Sequence, residues 1–473
     1  MSLHVPFDNS YAQLPERFFT RMPPTAVSQP RLVAVNRSLA GELGITLPDT
    51  EAEIAAVFSG NQIPEGASPL AQVYAGHQFG GWSPQLGDGR AILLGEVVDQ
   101  AGQRRDIQLK GSGPTPYSRM GDGRAWLGPV LREYLVSEAM AALGIPTTRA
   151  LAAVLTGDDV LRETRLPGAV LTRVAASHIR VGTFQYFAAQ GDTDALRTLT
   201  QHAIARHYPD ADGPRGLLQA VIAAQAELVA AWMSVGFIHG VMNTDNCTIS
   251  GETIDYGPCA FMDTYASDQV FSSIDQFGRY AYGNQPNIAV WNLAQFATSL
   301  LQLMPDREAA IEAFTEDVNG FADRFDTAWR RRIAAKVGLP ISEAAIGLEL
   351  LSAMETGRAD FTRTFRALSS DTPIQARDEF LDPAAFDTWH AIWWQKAAAM
   401  PERAEKMRAV NPAVIARNHR VEAAIKAAIG GDLSPFFTLH NALATPFSLA
   451  PEQADLDRSP VATEKVRQTF CGT

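Results

Sequence analysis

The alternation of apolar and polar residues predicts several strands and one helix in the first part of the chain. The run AILLGEVV (residues 91–98) is β-like, and DIQLK (residues 106–110) alternates polar and apolar residues as a short strand does. Apolar residues then recur at the spacing of one helical face from Leu127 to Leu135, and Gly144 supplies a stop for that helix. Further strand-like stretches lie at residues 150–155, 160–163 and 169–174. This order of elements predicts a small α+β lobe.

The pattern turns largely helical from about residue 184. Apolar residues recur at helical spacing in four later stretches, at residues 217–236, 290–304, 307–336 and 412–429. The chain after about residue 449 is polar, and we expect it to lie over the surface.

The most informative segment is HGVMNTDNCTISGETIDYG (residues 239–257). Its middle, CTISGETI, has a Ser-Gly pair between two arms with β-branched residues, which predicts a β-hairpin. A hairpin there would bring Asn246 and Asp255 side by side. An amide oxygen beside a carboxylate suits Mg²⁺ or Mn²⁺, with phosphate oxygens completing the coordination shell. The alternative is an ordinary turn around Asp255 and a structural role for His239.

The order of features around this segment is that of the catalytic and metal-binding loops of protein kinases. A helix, a His, an Asn seven residues later, a hairpin and an Asp-aromatic-Gly triplet follow one another. A kinase also needs a strand lysine that reaches the nucleotide phosphates and a helix glutamate that pairs with it. Lys110 ends the strand DIQLK, and Glu133 flanks the apolar stripe of the following helix. Each of the two could instead be a solvated surface residue.

Two glycine-rich segments could cradle phosphate groups. LGDGR (residues 86–90) precedes the first strand pair, and GDGR (residues 121–124) lies between Lys110 and the helix. Glycines let backbone N–H groups approach phosphate oxygens, and the adjoining arginines add positive charge. Arg173 and Arg180 extend this cation cluster at the junction of the two halves. Gly-Asp-Gly is also a common turn, and the two arginines could form structural ion pairs.

Together these features predict an α+β, bilobal, protein-kinase-like fold with additional C-terminal helices. We expect an N-terminal extension at residues 1–60 and a kinase-like N-lobe that binds nucleotide at residues 61–178. A mainly helical C-lobe with the catalytic loop and metal site would occupy residues 179–440, and a C-terminal tail residues 441–473.

Composition narrows the range of partners. The 473 residues carry a formal net charge of -12, which argues against nucleic acid, because phosphate backbones attract basic surfaces. The N-terminus lacks the uninterrupted apolar region of a signal peptide, and no run of about 18 apolar residues predicts a membrane span. Three cysteines are too few for a secreted disulfide scaffold. We therefore expect a cytoplasmic protein with neither nucleic acid nor membrane as a partner.

One position departs from the kinase pattern. A kinase places its catalytic Asp two residues after the loop His, and Val241 stands there. A valine can neither accept a proton nor orient a hydroxyl. Asp245 is the nearest carboxylate that could substitute, which indicates that the reacting phosphorus lies elsewhere than in a kinase.

The segments quoted so far resemble the selenoprotein O family of kinase-like protein adenylyltransferases over most of the chain. The likeness lies in YAGHQFGGWSPQLGDGRA (residues 74–91), QLKGSGPTPYSRMGDGRA (residues 108–125), HGVMNTDN, TIDYGPCAFMD (residues 253–263), YAYGNQP (residues 280–286) and RNHRVEAAI (residues 417–425).

The resemblance implies that ATP binds in an orientation flipped relative to a kinase. AMP would pass to Ser, Thr or Tyr hydroxyls of proteins, and pyrophosphate would leave. UMP transfer from UTP is a further activity that the resemblance implies. By similarity, Asp245 would accept the proton, and Asn246 and Asp255 would bind Mg²⁺ or Mn²⁺. The positions that match the nucleotide-binding residues of the family are Gly87, Gly89, Arg90, Lys110, Asp122, Gly123, Arg173 and Arg180, with Glu133 and Asp255 beside them.

The resemblance also suggests a redox-sensitive bond. Relatives carry a Cys or selenocysteine close to the C-terminus, and Cys471 occupies such a position. We hypothesise that it pairs with Cys259, just past the metal-binding Asp, and that the bond makes activity redox-sensitive. The alternative is two unrelated thiols.

Three functional hypotheses remain from the sequence. A protein adenylyltransferase is favoured. A true phosphotransferase, acting on proteins or small molecules, is the second, because His-Gly also opens the corresponding loop of aminoglycoside kinases. The third is a nucleotide-binding scaffold in which Val241 marks the loss of catalysis.

Overall fold

A computed structural model describes residues 3–470 of the chain. Its strands, in chain order, are β1 (Phe19–Arg21), β2 (Arg31–Val35), β3 (Leu70–Gln72), β4 (Gly76–Gln78), β5 (Gly81–Ser83), β6 (Ala91–Val98), β7 (Arg104–Lys110), β8 (Ala125–Trp126), β9 (Arg149–Leu161), β10 (Arg165–Ala175), β11 (Phe237–Ile238) and β12 (Ala260–Phe261). The α+β class predicted from the sequence is confirmed.

The helices follow mainly after the last long strand. They are α1 (Arg37–Glu42), α2 (Glu51–Phe58), α3 (Leu127–Ala142), α4 (Val181–Ala189), α5 (Thr193–His207), α6 (Gly213–Ser234), α7 (Gln285–Leu300), α8 (Arg307–Asn319), α9 (Phe321–Lys336), α10 (Ala344–Gly357), α11 (Phe361–Leu368), α12 (Ala384–Ala397), α13 (Arg403–Arg408), α14 (Asn418–Ile429) and α15 (Ser434–Leu443).

The main sheet is antiparallel and has the strand order β1-β3-β6-β7-β10-β9-β2, with β8 paired to β10. Lys110, at the end of β7, lies opposite Ala91 on one side and Leu171 on the other. It therefore occupies the middle of the sheet, where neighbouring strands on both sides fix its position. The short pairs β4–β5 and β11–β12 are separate from this sheet.

Both faces of the main sheet are covered. One face packs on α3 and continues into a core formed by the later helices, with Leu131, Leu135 and Val221 fully buried. Helices α1 and α2 lie against the other face. Ile54 and Phe58 of α2 belong to the same apolar cluster as Leu109 of β7. This two-sided burial explains why AILLGEVV is nearly all apolar rather than alternating.

The first sixty residues contribute more than a surface extension. β1 and β2, both within this segment, form the two edges of the main sheet, next to β3 and β9. At the other end of the chain, α14 and α15 pack on α3. Residues distant in sequence thus support the same helix and sheet.

Three element boundaries differ from the predicted ones. The two strands predicted at residues 150–155 and 160–163 are one strand, β9, which ends at Leu161; its ladder with β10 resumes after a register shift near Gly157, which has a φ of 81°. The predicted helix at 307–336 is two helices, separated at Gly320. α14 begins at Asn418 rather than near 412, because Arg417 is extended, with a ψ of 132°.

Helix α6 is the one unbroken helix in residues 3–470 that is long and apolar enough to cross a membrane. In the structure, 67% of its most apolar window is buried inside the protein. It packs against α5, α7, α8 and α9, as the central helix of a helical core does.

Candidate active site

The lysine and glutamate predicted to pair are in contact. Lys110 ends β7, and Glu133 lies in the second turn of α3, which packs on β9 and β10. Lys110 Nζ is 2.6 Å from Glu133 Oε2. Because Glu133 is only 4% exposed, its carboxylate depends on such cations in place of water.

Asp255 is the centre of a buried charge cluster. Its Oδ1 is 2.6 Å from Lys110 Nζ and 2.8 Å from Arg173 Nη1, while its Oδ2 is 3.6 Å from Arg180 Nη1. Burial alone would raise the pKa of Asp255, but the three cations hold it well below its usual range. Asp255 also has a φ of 62°, a strained conformation for a non-glycine residue that is typical of functional sites.

Arg173 and Arg180 of this cluster differ in their other partners. Arg173 also donates to Glu133 Oε1 at 3.2 Å and to Gln108 Oε1 at 2.7 Å. The Arg180 guanidinium lies 4.3 Å from the centre of the Tyr74 ring. Its Nη2 is buried and has no hydrogen-bond partner among residues 3–470. Such a donor is costly to leave unpaired, so it is available to an anionic ligand.

The loop from His239 to Asn246 is tied to the segment that carries Asp255. His239 Nε2 lies 2.9 Å from the carbonyl oxygen of Ile254, and the Val241 amide donates to His239 Nδ1 at 3.3 Å. Asn246 Nδ2 donates to the Val241 carbonyl at 3.0 Å, which leaves its Oδ1 for a ligand. His239 is thus a buried positioning group for the loop.

The β-hairpin predicted at residues 247–254 is not formed. Thr248 and Thr253 each make an isolated bridge to a different segment, at Arg180 and Thr147. Instead the Thr248 side chain closes a tight turn, donating to the Glu252 carbonyl at 2.6 Å and accepting from its amide at 3.0 Å. The side-chain hydrogen bonds of Thr248 and the bridges to Arg180 and Thr147 take the place of the hydrogen bonds expected between two hairpin strands.

The predicted approach of Asn246 to Asp255 stays a prediction, and Arg180 contacts both segments. Arg180 Nη1 donates to the carbonyl oxygen of Asp245 at 3.1 Å and is also 3.6 Å from Asp255 Oδ2. One guanidinium nitrogen therefore bridges the residue before Asn246 and the carboxylate of Asp255.

Asp245 is the buried carboxylate of the loop, with 8% of its surface exposed. Its Oδ2 accepts from Gln78 Nε2 at 3.2 Å, and its Oδ1 has no hydrogen-bond partner among residues 3–470. Burial raises the pKa of its carboxyl to about 6. A carboxylate in this state is a suitable proton acceptor near neutral pH.

The first glycine-rich segment packs against the loop that carries the second. A Cβ at Gly87, whose φ is 68°, would lie 2.4 Å from the Tyr117 ring, so only glycine fits there. Gly89 likewise lies close to the Tyr117 carbonyl. Arg90 lines the same cleft as Lys110 and Glu133. The structure thus places this segment beside the charge cluster.

The second glycine-rich segment (residues 121–124) is held by contacts with Gly113 and Arg162. Gly123 has a φ of 66°, and a Cβ there would lie 2.2 Å from the backbone of Gly113. Asp122 accepts from Arg162 Nη1 at 2.8 Å and from the Arg124 amide at 2.9 Å. Within residues 3–470, its carboxylate forms hydrogen bonds with these groups and with none of the cluster cations.

Comparison with known proteins agrees with this arrangement. A family model described as protein adenylyltransferase SelO matches residues 1–444. The chain belongs to the SelO family. The protein nucleotidyltransferase YdiU of Jannaschia sp. (strain CCS1) is 66% identical, over 99% of each chain. Those of Ruegeria sp. (strain TM1040) and Roseobacter denitrificans are each 62% identical, over 100% of each chain. The family resemblance read from the sequence, and the prediction of a nucleotidyltransferase, are confirmed.

Sequence reasoning missed three residues that hold the SelO-family cluster in place, Asp106, Gln108 and His178. Gln108 accepts from Arg173, and His178 Nε2 accepts from Arg173 Nε at 3.2 Å. Burial lowers the pKa of His178 to about 4, so its neutral ring donates through Nδ1 to Asp106. A signal was present for two of them, because Asp106 and Gln108 share one face of β7 with Lys110.

Two further partners, Tyr74 and Gln78, lie in the segment 74–91 that carries the family likeness. Their roles depend on contacts with residues more than 100 positions away, which no local pattern indicates. Cys259 is buried in the segment after Asp255, whereas Cys471 lies outside the described residues. Their pairing stays a prediction.

Proposed function

We propose that this chain transfers AMP from ATP to Ser, Thr or Tyr hydroxyls of proteins and releases pyrophosphate, with UTP as an alternative donor. The proposal combines membership of the SelO family with the charge cluster around Asp255. We place the reaction in the cytoplasm, as the sequence led us to expect.

The proposed architecture is a kinase-like cleft between two lobes. The main sheet with α3 would form the N-lobe up to about residue 178, and the helices from α4 to about residue 440 the C-lobe. Support comes from the Lys110–Glu133 pair, from Asp255 in an Asp-Tyr-Gly triplet, and from Asn246 in the loop before it. Lys110, Glu133, Asn246 and Asp255 occur in the chain order of the kinase pattern, and Lys110 contacts both carboxylates.

The observation on which the proposal depends is that the candidate base, Asp245, lies at a different position in the loop from the catalytic Asp of a kinase. Val241, which is 7% exposed, stands where a kinase has its catalytic Asp. Because its side chain is a hydrocarbon, it offers no polar group to a hydroxyl. Asp245 supplies a buried carboxylate four residues later. A base at a different position from that of a kinase requires the reacting phosphorus to lie at a different position too. The α-phosphorus of ATP bound in the flipped orientation meets this requirement.

The donor set fits a divalent cation. Asn246 Nδ2 is engaged by Val241, which leaves Asn246 Oδ1 for a ligand. Asp255 Oδ1 is taken by two cations, but its Oδ2 has only Arg180 at 3.6 Å, beyond ordinary hydrogen-bond length. Asn246 and Asp255 would hold Mg²⁺ or Mn²⁺, which when bound neutralises charge on the phosphate oxygens.

The chain's own residues would then act as follows. Asp245 accepts the proton of the acceptor hydroxyl, whose oxygen forms a bond to the α-phosphorus. The bond from that phosphorus to the bridging oxygen of pyrophosphate breaks, and its electron pair leaves with pyrophosphate. Lys110, Arg173 and Arg180 stabilise the leaving charge, because a low-dielectric site strengthens their attraction. Gly87, Gly89, Arg90, Asp122 and Gly123 would position the nucleotide.

ATP labelled at the α- or the γ-phosphate tests the proposal. Transfer of the α-label to an acceptor protein, with none of the γ-label, is the expected result. Transfer of the γ-label would instead indicate a phosphotransferase. Label transfer from neither position, with ATP still bound, would indicate a nucleotide-binding scaffold. The same assay with α-labelled UTP measures donor choice.

A further inference from the structure

The hairpin formed by β4 and β5 lies directly over the loop that carries Asp245. Its two-residue turn consists of Phe79 and Gly80, which have φ values of 53° and 84°. Positive φ at both positions is the geometry of a type I′ turn, which glycine adopts readily and a phenylalanine only under strain. Such strain persists where surrounding contacts hold the residue in place.

Those contacts run from the hairpin backbone to the loop. The His77 amide donates to Thr244 Oγ1 at 2.7 Å, and the Phe79 amide donates to Asn243 Oδ1 at 3.0 Å. Asn243 Oδ1 also accepts from the Tyr280 hydroxyl at 2.5 Å. Main-chain amides on either side of residue 78 are therefore fixed to the two residues just before Asp245.

Close packing adds to this attachment. A Cβ at Gly76 would lie 2.9 Å from Asp245 Oδ1 and 3.1 Å from Leu86 Cδ1, so the strand passes against the carboxylate where only glycine fits. The His77 ring is held from the other side by Gln185 Nε2, which lies 2.9 Å from His77 Nδ1. The backbone that carries residue 78 thus has little freedom to move relative to Asp245.

The side chain between the two anchored amides is Gln78. Its Nε2 donates to Asp245 Oδ2 at 3.2 Å, and it is the one side-chain hydrogen-bond donor to that carboxylate within residues 3–470. The second oxygen, Oδ1, is buried and has no such partner there. One oxygen of the carboxylate is thus held by Gln78, and the other is packed against Gly76 without a hydrogen-bond partner among residues 3–470.

We propose that Gln78 is a positioning residue for the acceptor side of the reaction, which holds the Asp245 carboxylate in the orientation that accepts the proton of the target-protein hydroxyl. This inference rests on the proposed function, in which Asp245 is the proton acceptor. Gln78 forms no hydrogen bond with Lys110, Arg173 or Arg180 among the described residues. Its loss should therefore affect the transfer step and not the binding of ATP.

Gln78→Met tests the proposal, because methionine keeps the length of the side chain and lacks the donor. We expect kcat for α-label transfer to fall about 10-fold, as for a lost hydrogen bond to a charged group. The affinity for ATP and the Tm should not change. Gln78→Glu should lower kcat further, by about 100-fold, because two carboxylates would face each other. The matched controls are Gln85→Met and Gln85→Glu, since Gln85 is exposed in the same segment.

The possible results distinguish a failure of this inference from a failure of the proposed function. A wild-type kcat in Gln78→Met would overturn the inference, as would a loss of ATP affinity or of Tm that accounts for the lower rate. If Gln78→Met does not fold, the kcat and ATP affinity of Gln78→Glu decide by the same criteria. If the unmodified enzyme transfers no α-label, the proposed function fails instead, before any Gln78 variant is measured.

Discussion

Two buried charge clusters in this protein differ in the sign of their excess charge. The cleft cluster consists of Lys110, Arg173 and Arg180 with Glu133 and Asp255, three cations against two carboxylates. The tail cluster consists of Arg417, which is fully buried, and three carboxylates at 2.7, 3.0 and 3.4 Å from it, those of Asp263, Asp360 and Asp457.

The difference indicates what each cluster is for. Among the ion pairs of the cleft cluster one cation is in excess, and Arg180 Nη2 has no hydrogen-bond partner among residues 3–470, so a polyphosphate would add anionic charge and an acceptor there. The tail cluster instead joins three parts of the chain, and its carboxylates have further protein partners, while Arg417 Nε is buried without a hydrogen-bond partner among residues 3–470. Ser459 Oγ donates to Asp360 at 2.6 Å, and Arg363 Nη1 donates to Asp457 at 3.2 Å. Buried ion clusters of similar size can therefore serve binding or architecture, depending on which charge is in excess.

The largest expected effect is that of Asp255→Ala on the cleft cluster. The variant loses a proposed metal ligand and leaves three cations without their shared carboxylate. We expect α-label transfer to fall about 1000-fold or more, since the loss removes several kcal/mol of stabilisation from the transition state. An initial-rate assay measures this. Unimpaired transfer would remove Asp255 from the site.

Arg417→Met should act in the opposite manner, on stability rather than on chemistry. It leaves three buried carboxylates without their common partner, which should lower the free energy of unfolding by about 3–5 kcal/mol. Denaturant titration measures that loss. The folded variant should keep its affinity for ATP, and a large drop in that affinity with normal stability would assign the tail cluster to the binding site.

Glu133→Gln is a milder change within the cleft cluster. It keeps the shape of the side chain but removes the carboxylate that Lys110 and Arg173 share. We expect kcat/KM for ATP to fall about 10- to 100-fold, because both cations lose a charge-assisted hydrogen bond. Glu422→Gln is a control on α14, where the partner is Arg132. Equal effects of the two variants would contradict a special role for Glu133.

The smallest expected effect concerns Lys336, a buried cation that belongs to neither cluster. Its Nζ lies 2.9 Å from Asn411 Oδ1, and burial lowers its pKa from 10.5 to about 7. Between these values the unfolded chain binds one more proton than the folded one, so stability rises with pH, by about 1.4 kcal/mol per unit. Lys336→Met should lack this contribution. Parallel stability curves of the two proteins from pH 7 to 9 would contradict it.

The pair of Lys110 and Glu133 could be predicted from the sequence because both residues lie in regular elements. Periodicity placed Lys110 at the end of a strand and Glu133 beside the apolar stripe of a helix, and the order of kinase elements indicated that they pair. The placement of Asn246 and Asp255 at one metal ion stays a prediction, and the hairpin from which it was drawn is not formed. Thr248 closes a side-chain turn where a β-ladder was expected.

The remaining contacts depend on tertiary packing that one sequence does not encode locally. Gln78 contacts Asp245 only because two amides of its hairpin bind the loop before that residue. Arg417 joins Asp263 across 154 positions. The extended backbone that this requires also explains why α14 starts later than its apolar spacing indicated.

The most direct test of the account is the intact mass of an acceptor protein after incubation with this enzyme, ATP and a divalent cation. The account predicts an increase equal to one adenylyl group on a Ser, Thr or Tyr hydroxyl, with pyrophosphate as the second product. An increase equal to one phosphoryl group, with ADP as the second product, would contradict it.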